Sequence, residues 1–164
     1  MRICVLLCCF FLSVLAHGQR SSVTLERNWK FQKGDVYQAF KVDFDDSKWQ
    51  SVSIPHDWAI YGPFDRSNDL QNVAITQNFE NQASVKTGRT GGLPYVGIGW
   101  YRTTFDAPVG QTVNLLFDGA MSEARVYVNG EEVCFWPYGY NSFHCDVTSF
   151  LNADGMNNQL AVRL

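Results

Sequence analysis

The dipeptide Asn129-Gly130, set between the runs Ala124–Val128 and Glu132–Phe135, constrains this chain more than any other pair of neighbours. Both central positions of a tight type I′ turn need positive φ, which Asn and Gly tolerate, so the two runs are expected to fold back on each other as a hairpin. Along the first run Ala124, Val126 and Val128 fall on one side and Arg125 and Tyr127 on the other, the period-two pattern of a half-buried strand. Similar short runs, alternating or rich in β-branched and aromatic residues, recur near Trp29–Gln32, Gln50–Ile54, Gly99–Phe105, Thr112–Phe117, Ser142–Val147 and Gln159–Leu164. Helical periodicity is nowhere sustained. The one helical expectation is a single turn at Thr148–Leu151, capped by Asp146 or Thr148. The pattern therefore predicts an all-β fold, a two-sheet antiparallel jelly-roll sandwich.

Residues 1–18 read differently. Arg2 supplies a positive start, Ile3 to Leu15 an apolar run broken only by Ser13, and Ala16-His17-Gly18 a small-residue cleavage site. This is the pattern of a secretory signal peptide, and the run is shorter than the roughly 20 residues a membrane span needs. The expectation is an exported, periplasmic or extracellular domain over residues 19–164. Losing Arg2 leaves 12 basic against 16 acidic residues, a formal charge of −4, which disfavours nucleic acid as a partner. Of the five cysteines only Cys134 and Cys145 lie beyond the signal, either bridged or two small buried hydrophobes. His56 and His144 are far apart in sequence and no paired ligand spacing occurs, so no metal and no cofactor is expected. The acidic run Asp43-Phe44-Asp45-Asp46-Ser47 lacks the Gly and distant Glu of a calcium loop and reads as a turn that delivers Trp49 to the core.

Five motifs stand in order along the chain: Ile54-Pro55-His56-Asp57-Trp58, Gly99-Trp100-Tyr101-Arg102, Phe117-Asp118-Gly119-Ala120-Met121, Val126-Tyr127-Val128-Asn129-Gly130 and Gly139-Tyr140-Asn141-Ser142-Phe143. In this order they resemble the N-terminal sugar-binding domain of glycoside hydrolase family 2, most closely that of secreted β-galactosidases. The resemblance runs from about Trp29 to Leu164 and implies a galactose-binding-type jelly roll. It also implies that catalysis belongs to two glutamates on a separate barrel. Such a barrel needs about 250 residues, more than the 164 of this chain, which is accordingly expected to lack its own catalytic residues. The partners implied are a β-galactoside-type glycan, the catalytic barrel and further sandwich domains. The resemblance further implies a closing strand after Gln159–Leu164, whose loss would leave that strand with an open edge. A stand-alone secreted carbohydrate-binding module is the alternative, and a spacer module without ligand a third reading.

Asp57 to Tyr95 carries few strand signals, and long loops in compact domains are usually functional or disordered. The resemblance implies that a polar residue in this loop helps hold the terminal sugar. Asn72, within Asp69-Leu70-Gln71-Asn72-Val73, is the first candidate and Asp69 the second; a carboxamide can donate to and accept from neighbouring hydroxyls, or it can simply order the loop. Trp58, at the mouth of the loop, either packs or offers its face to a sugar ring. Trp29, Trp49 and Trp100 read as core. Arg102 is expected to be a structural clamp, its guanidinium meeting Asp118 or Asp57 and loop carbonyls, while Asp57 caps local backbone. Gly97, Gly99 and Gly91-Gly92 are expected to permit tight turns.

Overall fold

Ten strands form among the described residues: β1 (Trp29–Lys33), β2 (Gln50–Val52), β3 (Leu70–Val73), β4 (Ser84–Thr87), β5 (Gly99–Phe105), β6 (Asn114–Phe117), β7 (Ala124–Val128), β8 (Glu131–Trp136), β9 (Phe143–Asp146) and β10 (Asn158–Arg163). The computed structural model describes residues 20–65, 67–68, 70–87 and 95–164. Residues 1–18, expected to be a signal peptide, and Asp69 and Gly91-Gly92 lie outside them. Six strands form one antiparallel sheet in the order β2-β1-β5-β10-β7-β8, β6 and β9 form a second, and β3 and β4 a separate hairpin.

The period-two rule explains why the large sheet is buried on both sides. On one face Trp29, Phe31, Tyr101, Phe105, Val126, Val128, Leu160 and Val162 pack with Leu115, Phe143 and Cys145 of the β6–β9 pair, making the sandwich core. On the other face Trp100 and Ala161 pack with Ala39 and Trp49, so residues 34–49 form the cover of that side. Val126, Val128 and Leu160 are at most 1% exposed, and full burial of each such side chain contributes about 1.5–3 kcal/mol.

The hairpin predicted at Asn129-Gly130 is present, with φ of 51° and 88° and Val128 paired with Glu131. Asn129 does more than turn the chain. Its Nδ2 donates to the Phe150 carbonyl at 2.8 Å and to Asn158 Oδ1 at 3.0 Å, while its Oδ1 accepts from the Gln159 amide at 2.8 Å. The turn is thereby tied to the start of β10. The expected helical turn is a 3-10 turn over Thr148–Phe150, and Asp146 Oδ1 accepts from both the amide and the hydroxyl of Thr148.

Two expectations are corrected. β10 has no open edge, because it pairs with β5 on one side and β7 on the other. The segment between Asp57 and Tyr95 is no plain loop, since β3 and β4 pair from Leu70↔Thr87 to Val73↔Ser84. The ladder shows no alternation because neither strand has a buried face: of its eight residues six are exposed and two, Gln71 and Lys86, are half-buried. Glu80 holds the far end together, accepting from the Ile75 amide at 2.9 Å and pairing with Lys86 at 3.1 Å.

Candidate functional site

β5 presents alternate residues to two different tasks. Arg102 points to the 34–49 cover and is 1% exposed. Its Nε donates to Asp46 Oδ2 at 2.8 Å, and its Nη1 donates to the Lys41 carbonyl at 3.0 Å and to the Ala39 carbonyl. The carboxylate it meets is thus Asp46, not Asp118 or Asp57. Asp118 is exposed beyond the end of β6, and Asp57 accepts from the Ala59 amide at 3.0 Å as a local cap. The acidic run that delivers Trp49 to the core also supplies the counter-charge, a pairing that no local spacing announces across 56 residues. Asp35 ties the same cover to the sheet, accepting from Arg163 and from Trp100 Nε1. The Arg163 guanidinium, foremost, holds the Asp35 carboxyl below its ordinary value.

Gly99 and Tyr101 point to the opposite face. A side chain at Gly99 would meet Phe31 at 3.0 Å and Trp58 at 3.2 Å, so this glycine serves a close approach of rings and not the turn expected of it. Tyr101 hydroxyl lies 2.9 Å from His56 Nδ1 and donates to the His56 carbonyl at 3.3 Å. Burial, and then the Asp57 charge, push the Tyr101 phenol well above its ordinary value.

Beside them opens a surface cavity of about 420 Å³ whose walls include Phe31, Lys33, Lys48, His56, Trp58 and Tyr61. Phe31 meets the His56 ring edge at 4.9 Å and Trp58 at 5.9 Å. Lys33, opposite Gly99 in the β1–β5 ladder, places its ammonium 3.6 Å from the Tyr95 ring and 5.4 Å from that of Trp58, and donates to the Gly62 carbonyl at 3.0 Å. Trp58 is half-buried, so it both packs and lines the cavity. Asn72 is not brought to it: it sits exposed on β3 opposite Val85, and no described residue of the β3–β4 hairpin lines the cavity. Lys33, Lys48, Tyr61 and Tyr95 were missed by sequence reasoning, and only the register of β1 against β5 could have pointed to the first of them.

The remaining motifs are structural by geometry. Asn141 accepts from Trp136 Nε1 at 3.0 Å, and Phe143 stacks between Trp136 and Phe117 at 5.5 and 4.7 Å. Trp29, Trp49 and Trp100 are buried, and Trp29 donates to the Leu25 carbonyl at 2.7 Å. Cys134 of β8 and Cys145 of β9 are bridged, Cα to Cα 6.0 Å, linking an edge of the large sheet to the small one. Among the described residues no group of three or more His, Cys, Asp or Glu converges to hold a metal, and no helix is long and apolar enough to cross a membrane.

Residues 23–164 match the family described as glycosyl hydrolases family 2, sugar binding domain. The chain is 35% identical over 159 residues to a β-galactosidase of Bacteroides ovatus, covering 95% of this chain and 16% of that protein. Among solved structures it is similar to a β-glycosidase from Bacteroides vulgatus, with a TM-score of 0.69, 30% identity, and coverage of 88% of this chain and 17% of that one. A β-glucuronidase of Bacteroides uniformis matches with a TM-score of 0.67, 30% identity, and coverage of 88% and 14%. The chain therefore spans about a sixth of the length of these relatives.

Proposed function

This chain belongs to the sugar-binding domain family of the family 2 glycosyl hydrolases, and from that premise we propose that it serves a longer, exported glycoside hydrolase of β-galactosidase type whose bond cleavage is done by residues outside this domain. The observation that carries this division of labour is that the chain spans only 16% of the length of its β-galactosidase relative, and the direction in which its carboxyls are shifted agrees with it. A glycosidase needs one carboxyl raised toward neutrality to act as acid. Every described carboxyl with a resolved shift is instead held below its ordinary value: Asp35 by Arg163, Asp45 by Ser47, Asp65 by Ser67, Glu80 by the Ile75 amide and Asp146 by Thr148. Each serves as a local cap or bridge.

The β-galactosidase reading is supported by the 35% identity to the Bacteroides ovatus enzyme and by the Asp69–Val73 surroundings of Asn72. Leu70, Val73, Phe79 and Val85 of the β3–β4 hairpin are exposed apolar side chains, which suits a surface covered by a following domain. The test compares this chain with the polypeptide encoded through and beyond Leu164, on chromogenic β-galactoside, β-glucuronide and β-mannoside. Turnover of the β-galactoside by the longer protein alone is expected. Turnover by the 164-residue chain, lost in Asp65→Asn or Glu80→Gln, would refute the division of labour. For export, secretion of a reporter fused behind residues 1–18, with a mature start at Gln19, is the expected result. The pairing of β10 on both sides favours, as a second reading, a stand-alone binding module; that reading gains if the longer protein is inactive and this chain binds sugar.

A further inference from the structure

We propose that the cavity beside Trp58 is a binding site for an acidic sugar unit, one carrying a carboxylate or a sulfate ester. The inference goes beyond the glycosidase reading and does not depend on which bond the longer protein cleaves. Its volume of about 420 Å³ falls within the range of small-ligand sites, roughly 300–1,000 Å³. Its walls combine the two things a charged sugar needs. Trp58 and Tyr61 offer aromatic surface for the C–H face of a pyranose ring, and Tyr61 is 77% exposed.

The charge on the walls is of one sign. Lys33 and Lys48 line the cavity, and no carboxylate does. Among the described residues neither ammonium has an ion-pair partner, in a chain that carries more acids than bases. Lys33 spends one of its three donors on the Gly62 carbonyl and holds its charge over the Tyr95 ring. It is also fixed in place by the Tyr95 and Trp58 rings, so its orientation is set before any ligand arrives. Lys48 is exposed and makes no described hydrogen bond. Gln32 and Gln50 add amides that can both donate to and accept from hydroxyls. A neutral hexose would use the rings and amides and leave both cations unanswered; an anionic one answers them with charge-assisted bonds, which are the stronger kind.

The experiment is calorimetric titration of this chain with methyl β-glucuronide, galactose 6-sulfate and methyl β-galactoside, at low salt and at about 1 M NaCl, where the Debye length is about 3 Å. One or both acidic sugars should bind roughly tenfold or more tightly than the neutral one at low salt, the better of the two naming the anion. That preference should shrink in high salt. Lys48→Gln, on an exposed residue outside the core, should remove most of it, and Trp58→Phe should weaken all three sugars together. Acidic sugars that bind no better than methyl β-galactoside, or a preference unchanged in Lys48→Gln, would overturn the proposal. β-Galactoside turnover by the longer protein would stand in either case, so the two readings fail separately.

Discussion

Replacing Arg102 by Met keeps an apolar stem of similar length and deletes the guanidinium that holds residues 34–49 to the sheet. Three acceptors lose their donor: Asp46 Oδ2 and the carbonyls of Ala39 and Lys41. Their fates differ. The Asp46 side chain is 28% exposed, so it recovers much of its hydration, and the bond forgone is worth about 1 kcal/mol. Lys41 is exposed, and its carbonyl still accepts from the Phe44 amide at 3.3 Å. Ala39 is 0% exposed, and its carbonyl, left alone, costs about 1–3 kcal/mol. The loss should come to about 3 kcal/mol, a large share of the 5–15 kcal/mol typical of a domain. With a urea slope of about 2 kcal/mol/M, the unfolding midpoint should fall by about 1.5 M. Asp46→Asn, which leaves the buried guanidinium without its counter-charge, should fall by about 1 M, whereas Asp118→Asn and Asp57→Asn should stay within about 0.3 M of the parent. Limited proteolysis should show Arg102→Met cut first within residues 34–49. An Arg102→Met midpoint equal to the parent's, or an Asp118→Asn effect as large as that of Asp46→Asn, would refute the clamp as drawn.

Other outcomes follow from the same geometry. The Asp35 carboxyl is lowered in the folded chain, so its contribution is fully present above the unfolded carboxylate value of about 3.9 and is lost as pH falls through the folded one; urea midpoints at pH 7 and pH 3 should differ less in Asp35→Asn than in the parent. The Tyr101 phenol is raised, so its contribution is fully present below about pH 10 and is lost as pH rises above it; Tyr101→Phe should flatten the alkaline decline in stability measured by fluorescence. The Cys134–Cys145 bridge closes a loop of sequence separation 11, which chain entropy values at about 3 kcal/mol; a Cys134→Ala, Cys145→Ala double variant should unfold at lower urea, and an unchanged midpoint would deny the bridge a stabilising role.

The parts of the fold that were legible in the sequence are those in which one residue's local requirement and the global packing agree. Asn129-Gly130 needs positive φ for its turn, and β7 before it buries alternate residues, so turn and pattern pointed to the same hairpin. β3 and β4 offered no such agreement: their ladder is made by backbone pairing and by the Glu80–Lys86 bridge, and with no buried face there is no alternation to read. The clamp was half legible. A strand-borne arginine between Tyr101 and Thr103 announces that acceptors must exist, but which acid supplies the charge depends on how residues 34–49 wrap over the sheet, a non-local fact. The cavity was least legible because its cations come from the end of β1 and the approach to β2, brought beside Trp58 only by strand register.

The same register explains how the domain separates what must stay fixed from what is free to vary. In Gly99-Trp100-Tyr101-Arg102 every residue is buried, two toward the rings of Phe31, His56 and Trp58 and two toward the cover of residues 34–49. A change at any of the four meets either a close contact or an unpaired polar group, so packing alone dictates the motif. Lys48 and Tyr61 stand on the rim of the cavity, exposed and outside the core, where surface substitutions are usually within about 0.5 kcal/mol of neutral. Exchanging either therefore changes the charge or the aromatic surface a sugar would meet while leaving the sandwich intact. Two proteins could share the β5 motif and its clamp and still differ at this rim in the sugar they hold.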